Sequence, residues 1–183
     1  MKQVFVRPER CVGCKACELA CAVEHSRSKV LFTAILEEPV PRRRIYAQIA
    51  QGQKFPLTCR HCEEAPCVSA CIPGAMYRSP QGVVTNVGGL QECIGCSLCL
   101  MVCPFGVIRQ DQSLDGRVMA LKCDLCPDRE TPACVESCPT KALVYMEAED
   151  FARELRQEAS SELASSLVRR GSIATNLAGE AGY

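Results

Sequence analysis

The sequence predicts an α+β fold of short strands, tight loops and short cysteine-bearing helices, followed by one longer amphipathic helix. Three observations predict it. All 16 cysteines of the 183-residue chain fall into four quartets, with none left over. Between the quartets, brief apolar runs flank turn residues in the manner of hairpins. After the last quartet, Phe151, Leu155, Ala159, Leu163 and Leu167 recur every four residues among Glu, Arg, Gln and Ser, a helical spacing.

The most regular quartet is Cys93-Ile-Gly-Cys96-Ser-Leu-Cys99-Leu-Met-Val-Cys103-Pro104, a C-x2-C-x2-C-x3-C-P run. Three thiolates at intervals of three wrap a loop around one face of an iron–sulfur cubane, and the fourth ligates another cluster. Gly95 lets the backbone approach closely or take a positive φ. Cys103 begins the departure, and Pro104 keeps the chain from folding back. Cys11, Cys14, Cys17 and Cys21 repeat the spacing without the proline. Cys59, Cys62, Cys67 and Cys71 widen the second gap to four residues, and Cys123, Cys126, Cys134 and Cys138 widen it to seven. Four quartets predict four [4Fe–4S] clusters.

Two other uses of cysteine compete with this reading. Cysteine is roughly nine per cent of the chain, near the level of a secreted disulfide scaffold. No secretory signal precedes the first quartet, because Met1 to Val6 has no long apolar stretch. Structural zinc also uses C-x2-C pairs, but zinc ribbons hold their pairs apart, whereas a third cysteine at +3 and a fourth at +4 suit a cubane. No run approaches a membrane span. The formal charge is zero, yet each oxidised cubane with four thiolates adds about −2, so four add about −8. The 21 Lys and Arg are then partly counter-charge. Arg42-Arg43-Arg44 therefore reads as a solvated turn or docking face, not a nucleic-acid patch.

In order, Val4 to Val6 is a strand, and a helix from about Lys15 to His25 carries the last cysteine of the first quartet. Leu31, Phe32, Ile35 and Leu36 sit at helical spacing until Pro39 and Pro41 end any helix. Arg44 to Ile49 and Lys54 to Leu57 form a hairpin around Gln51-Gly52; this insert covers clusters or faces a partner. Ala75 to Arg78 and Val83 to Asn86 make a second hairpin. Val107 to Arg109 and Val118 to Leu121 make a third, with its turn through Asp115-Gly116, and Lys141 to Met146 gives a last strand. The pattern repeats every thirty to fifty residues or so, as ferredoxin half-modules would. The amphipathic helix from Glu147 ends at Arg169-Arg170-Gly171. Its stripe packs on the body or on another subunit, and Ser172 to Tyr183 reads as a mobile tail.

The quartets carry a family resemblance. Arg60-His61 precedes the widened gap of the second; Lys122-Cys-Asp-Leu-Cys and Ala133-Cys-Val-Glu-Ser-Cys-Pro-Thr-Lys-Ala-Leu143 surround the fourth. Residues 1 to 147 resemble the four-cluster ferredoxin-like electron-transfer subunits of molybdenum oxidoreductases, formate dehydrogenases and hydrogenases. The first quartet with Ala22 to Ser26, then Ser28-Lys29 and Ala34 to Glu37, looks most like the iron–sulfur subunit that serves nickel carbon monoxide dehydrogenase.

That resemblance implies crossed ligation: Cys11, Cys14 and Cys17 with Cys138; Cys123, Cys126 and Cys134 with Cys21; Cys59, Cys62 and Cys67 with Cys103; Cys93, Cys96 and Cys99 with Cys71. Two interleaved bacterial-ferredoxin-like modules follow, an outer one from residues 1–50 and 110–147 and an inner one from 51–109, with 148–183 appended. The implied function is electron relay between a catalytic subunit, carbon monoxide dehydrogenase foremost, and a downstream hydrogenase or flavin/NAD(P) oxidoreductase. The implied location is cytoplasmic, with any membrane association through partner subunits. Ala22 after Cys21 and Ile72 after Cys71 depart from the family's immediate proline and affect only the helix exit.

No cysteine remains as a nucleophile, and no Gly-rich dinucleotide or phosphate loop is present. His61 lies in a cluster loop, suited to an N–H···S or solvent contact; His25 caps or packs the first helix; Glu63-Glu64 is a solvated loop. No residue is therefore assigned as catalytic. An independent small reductase would need a substrate site that the sequence lacks. Anaerobically prepared protein should contain about sixteen iron and sixteen acid-labile sulfide per chain; stoichiometric zinc with little sulfide would sink the cluster reading.

Overall fold

A computed structural model describes residues 1–112 and 116–169. The expected turn residue Asp115 and the stretch Ser172 to Tyr183 lie outside the described residues. Two units separate, residues 1–146 and 147–183.

In the first unit, β1 (Gln3–Val6) turns at Pro8–Arg10 into the first cysteine loop and α1 (Ala16–Glu24). The one-turn α2 (Leu31–Ala34) follows. The hairpin β2 (Tyr46–Ala50) and β3 (Gln53–Leu57) turns at Gln51-Gly52, both with positive φ. Then come α3 (Pro66–Ser69), β4 (Tyr77–Arg78), β5 (Val84–Thr85) and α4 (Leu98–Val102). The unit closes with β6 (Arg109–Gln112), β7 (Val118–Leu121), α5 (Ala133–Glu136) and β8 (Leu143–Met146).

The strands form two-stranded antiparallel ribbons. Three are the expected hairpins. The fourth joins the ends of the unit: β1 pairs with β8, Gln3 opposite Met146 and Val6 opposite Leu143. The Arg7 N–H extends this ribbon with a 2.8 Å bond to the Ala142 carbonyl. Ribbons this short cannot bury much area by themselves, so their apolar faces close over the cysteines. One core combines Val4, Ile45, Leu125 and Leu143 with Cys21 and Cys134, from the two ends of the unit. A second combines Met76, Val84, Ile108 and Ala120 with Cys67 and Cys99, from its middle.

The segment between the first two quartets leaves several apolar side chains uncovered. Phe32, Ile35 and Leu36 are 78, 61 and 80 % exposed, so α2 presents apolar side chains outward instead of sealing a core. The second unit is a helix, α6 (Ala148–Arg169), with no buried residue. A stripe spaced by four residues drifts about 40° per step around a helix of 3.6 residues per turn. Leu155, Leu163 and Leu167 are accordingly exposed, while Arg153–Asp150 and Arg156–Glu149 pairs lace the surface. No described helix is long and apolar enough to cross a membrane.

Gly95 shows how tightly the cysteine loops fit the ribbons. Its φ is +70°, and a Cβ there would lie 2.6 Å from the Val118 carbonyl oxygen on β7. At Gly13, the matching position of the first quartet, a Cβ would meet only the flexible Lys54 side chain, at 3.0 Å. Gly95→Ala should therefore cost markedly more iron per chain and thermal stability than Gly13→Ala. Equal losses in the two variants would remove the argument from backbone contact.

Candidate metal centre

The first and third quartets repeat one local geometry. Gly13 and Gly95 have φ of 72° and 70°, and Lys15 and Ser97 follow with 63° and 65°. These left-handed residues coil each triad into a loop and aim the third cysteine into the first turn of α1 or α4. In α1, Cys17 and Cys21 lie four residues apart on one helix face. In the second and fourth quartets, His61 (φ 46°) and Leu125 (φ 64°) do the coiling, and the one-turn helices α3 and α5 carry Cys67 and Cys134.

The fold brings the cysteines together across quartets. Cys138 lies within electrostatic reach of Cys17, and Cys17 of Cys14. Cys21 faces Cys123 and Cys126, and Cys134 faces the same three. Cys67 faces Cys59 and Cys103, and Cys99 faces Cys93 and Cys71. Two cavities confirm convergence in the middle of the chain. One is lined by Cys59, Cys62, Cys67 and Cys103. The other is lined by Cys71, Cys93, Cys96 and Cys99. All sixteen thiols are free.

Burial makes seven of these thiols, Cys67 among them, hard to ionise on their own. It pushes Cys17, Cys99 and Cys126 up to about 11 and Cys21 to about 12, with Cys123 and Cys134 also raised. Crowded neighbours add to the effect, since each thiolate would repel the next. Such packing favours a cationic core that deprotonates its ligands as it binds. Backbone donors are already in place: Arg44 N–H to Cys21 Sγ at 3.2 Å, Met76 N–H to Cys71 at 3.2 Å, His61 N–H to Cys59 and Ala120 N–H to Cys93, each at 3.4 Å. Cys138 is the exception: burial opposes ionisation, but the N–H groups of Leu143, Ala142 and Thr140 and the Thr140 hydroxyl outweigh it, and its thiol is lowered.

The fit to an iron–sulfur group is sharpest at His61. Its side chain is 2 % exposed and lines the Cys59 cavity. Nδ1 accepts the Val84 N–H at 3.1 Å, which leaves the proton on Nε2. Nε2 is buried with no partner in the protein. Burial first, and then the nearby Lys122 charge, hold this ring at about 3, so it is a neutral N–H donor. A cluster sulfur in the cavity would satisfy it, as the loop position of His61 suggests.

Polar groups that the sequence does not single out surround the Cys21 set. Asp124 faces both His25, with Nε2 at 3.1 Å, and the Arg44 guanidinium. The other His25 nitrogen lies 2.7 Å from the Cys21 carbonyl, the helix-capping role expected of it. The arginine run is not a free docking face. Arg44 is held by Asp124, Arg43 by Glu18 and the Tyr46 ring, and Arg42 by Asp111. Only their long-range partners, remote in sequence, reveal this. Glu63 and Glu64 are exposed, as expected of a solvated loop.

Thiol loops of this geometry, with N–H donors aimed at sulfur, suit an iron–sulfur electron-transfer protein. The pattern of the 4Fe-4S dicluster domain matches residues 50–148, and that of a 4Fe-4S binding domain matches residues 8–24. The chain belongs to this family of ferredoxin-like electron-transfer subunits and carries [4Fe–4S] clusters. It is 39 % identical over 176 residues to an iron–sulfur protein of Rhodospirillum rubrum, covering 89 % of this chain and 91 % of that one. It is 38 % identical over 151 residues to the putative electron transport protein YsaA of Escherichia coli, covering 81 and 92 %. With the thiosulfate reductase electron transfer subunit PhsB of Salmonella typhi it shares 37 % over 142 residues, covering 75 and 71 %.

Asp124 supplies a pH test. Burial opposes its ionisation, but the His25 hydrogen bond and the Arg44 charge together hold its carboxyl well below the usual carboxylate range. A depressed carboxylate stabilises the folded state above its unfolded pKa of about 3.9, and that contribution fades as pH falls towards the folded value. Asp124→Asn should thus lower the denaturation midpoint at pH 7 and narrow its gap to wild type between about pH 5 and 3. Anaerobic denaturant titrations followed by visible absorbance measure both; parallel pH profiles would refute the linkage.

Proposed function

We propose that the chain is the electron-transfer subunit of a redox enzyme complex and relays single electrons through four [4Fe–4S] clusters in a fixed spatial order. The carrying observation is how the cysteine sets adjoin. Cys17 beside Cys134 joins the set of Cys11, Cys14, Cys17 and Cys138 to that of Cys21, Cys123, Cys126 and Cys134. Cys123 beside Cys59 joins the latter to Cys59, Cys62, Cys67 and Cys103. Cys99 beside Cys67 reaches the last set, Cys71, Cys93, Cys96 and Cys99. When bound, each cluster supplies a reversible one-electron centre, with potentials in this class spanning roughly −700 to +450 mV. The residues do the rest: thiolates fix position, N–H donors and buried charges bias potential, and apolar ribbons exclude water.

The β1–β8 ribbon and the two separate cores support two interleaved ferredoxin-like modules, 1–50 with 110–147 and, between them, 51–109. Cys14 and Cys96 are the exposed cysteines, and they belong to the outermost sets, where electrons enter and leave. The partner is the catalytic subunit of a reductase of the molybdenum type, a formate dehydrogenase or a hydrogenase; the similarity to a thiosulfate reductase electron transfer subunit supports this class. Carbon monoxide dehydrogenase is the narrower second reading, favoured by the stretch Cys11 to Glu37. Residues 148–183 then serve attachment and carry no current.

Crossed ligation tests the arrangement. Electron paramagnetic resonance of reduced Cys138→Ser and Cys14→Ser proteins should show the same signal altered, and Cys126→Ser a different one. If Cys138→Ser instead matched Cys126→Ser, the sets and the order built from them would be wrong.

A further inference from the structure

Lys122 is 3 % exposed. Its ammonium donates to two backbone carbonyls, that of Val84 and, at 2.8 Å, that of Cys123. Among the described residues no carboxylate lies within ion-pair distance of it. Asp124, the nearest acid in sequence, is engaged by His25 and Arg44. A buried cation satisfied only by neutral carbonyls is costly unless a diffuse negative charge lies nearby. Two thiol sets supply candidates. Lys122 directly precedes Cys123 in sequence, and its charge also acts on Cys67 of the neighbouring set. Through Val84 it is tied to His61 as well, since the Val84 carbonyl accepts from Lys122 while the Val84 N–H donates to the ring.

We propose that Lys122 is the potential-setting residue of the relay: its ammonium, lodged between the two inner cysteine sets, raises the reduction potentials of the clusters held there above those of the outer pair. The inference rests on the relay reading of the preceding subsection. An added electron makes a cluster more negative, so a fixed positive charge favours the reduced form. The outer sets, with exposed Cys14 and Cys96, have solvent at their edge instead. Electrons then rest in the middle of the molecule, away from both partner-facing ends. Lys122 acts through the field it imposes and through the Val84 link, not by touching the reacting partner.

The test is a redox titration of the anaerobic, cluster-loaded full-length protein with dithionite, read by electron paramagnetic resonance. Lys122→Met should lower the potentials of the inner clusters. At a fixed applied potential their reduced-to-oxidised ratio should fall on the order of tenfold, or about 59 mV, as expected for one charge removed at roughly 10 Å. Lys122→Arg, which keeps the charge, should restore most of the ratio. Full iron and sulfide with unchanged potentials in Lys122→Met would overturn the assignment. If Lys122→Met fails to fold, the order of reduction in the otherwise wild-type chain decides. Signals altered by Cys14→Ser or Cys96→Ser, marking the outer sets, should be the last to appear on reduction; outer signals appearing first would overturn the proposal. Absence of iron and sulfide from wild-type protein would instead sink the relay reading itself.

Discussion

The structure depends on one electrostatic constraint: its cysteine sulfurs must gather around cluster iron, although buried thiolates repel one another and buried thiols resist losing their protons. Desolvation leads the upward shifts of Cys17, Cys21, Cys99, Cys126 and Cys134. Only a cationic core at the focus of each set reverses that penalty, and binding it releases the thiol protons. The ribbons of two to five residues follow from this. A chain whose interior is assigned to cluster ligands has little apolar surface left for sheets, and the cores that do form include the cysteines themselves. Cohesion is therefore coupled to the metal, as in small metallo-domains that fold with their ion.

The same constraint governs the topology. A triad on one short loop covers one side of a cluster, and the fourth thiol must come from elsewhere. In the proposed arrangement it comes from a different quartet; pairing β1 with β8 brings together the segments that carry the first and fourth quartets. The segment from Cys59 to Ile108, joined by Ala120 of β7, forms a second core. Lys122 and His61 are both buried where these regions approach, bonded to the carbonyl and the N–H of Val84 respectively.

Much of this was legible in the sequence because ligand spacing is a local property. The quartets, the three hairpins and α1 with His25 at its end all follow from residues within reach of one another along the chain. Closing of β1 on β8 was not legible from Val4 to Val6 alone; it entered through the family resemblance. Arg42 and Arg43 are exposed, as a solvated turn predicts, but Arg44 finds Asp124 eighty residues away, and no charge pattern announces such a pair. Lys122 was visible only as part of a motif, since nothing in a Lys-Cys dipeptide says whether the ammonium faces water or the interior. α6 was found by its period, but its four-residue spacing spreads the stripe too widely to define a single buried face.

Charge placement connects these details to function. A neutral formal composition conceals the negative charge of oxidised, thiolate-bound clusters, about −2 for each, and cations are distributed against it unevenly. Arg42, Arg43 and Arg44 are consumed by Asp111, Glu18 and Asp124, so they steady the wall around α1 without adding net positive charge there. Lys122 alone among these cations is buried without an acid, and it lies where two sets adjoin. The apolar side chains of Phe32, Ile35 and Leu36 and the cysteines Cys14 and Cys96 are exposed. In the proposed relay, Lys122 holds electrons by an internal field, while the exposed edges exchange them with a partner that sets the direction of flow.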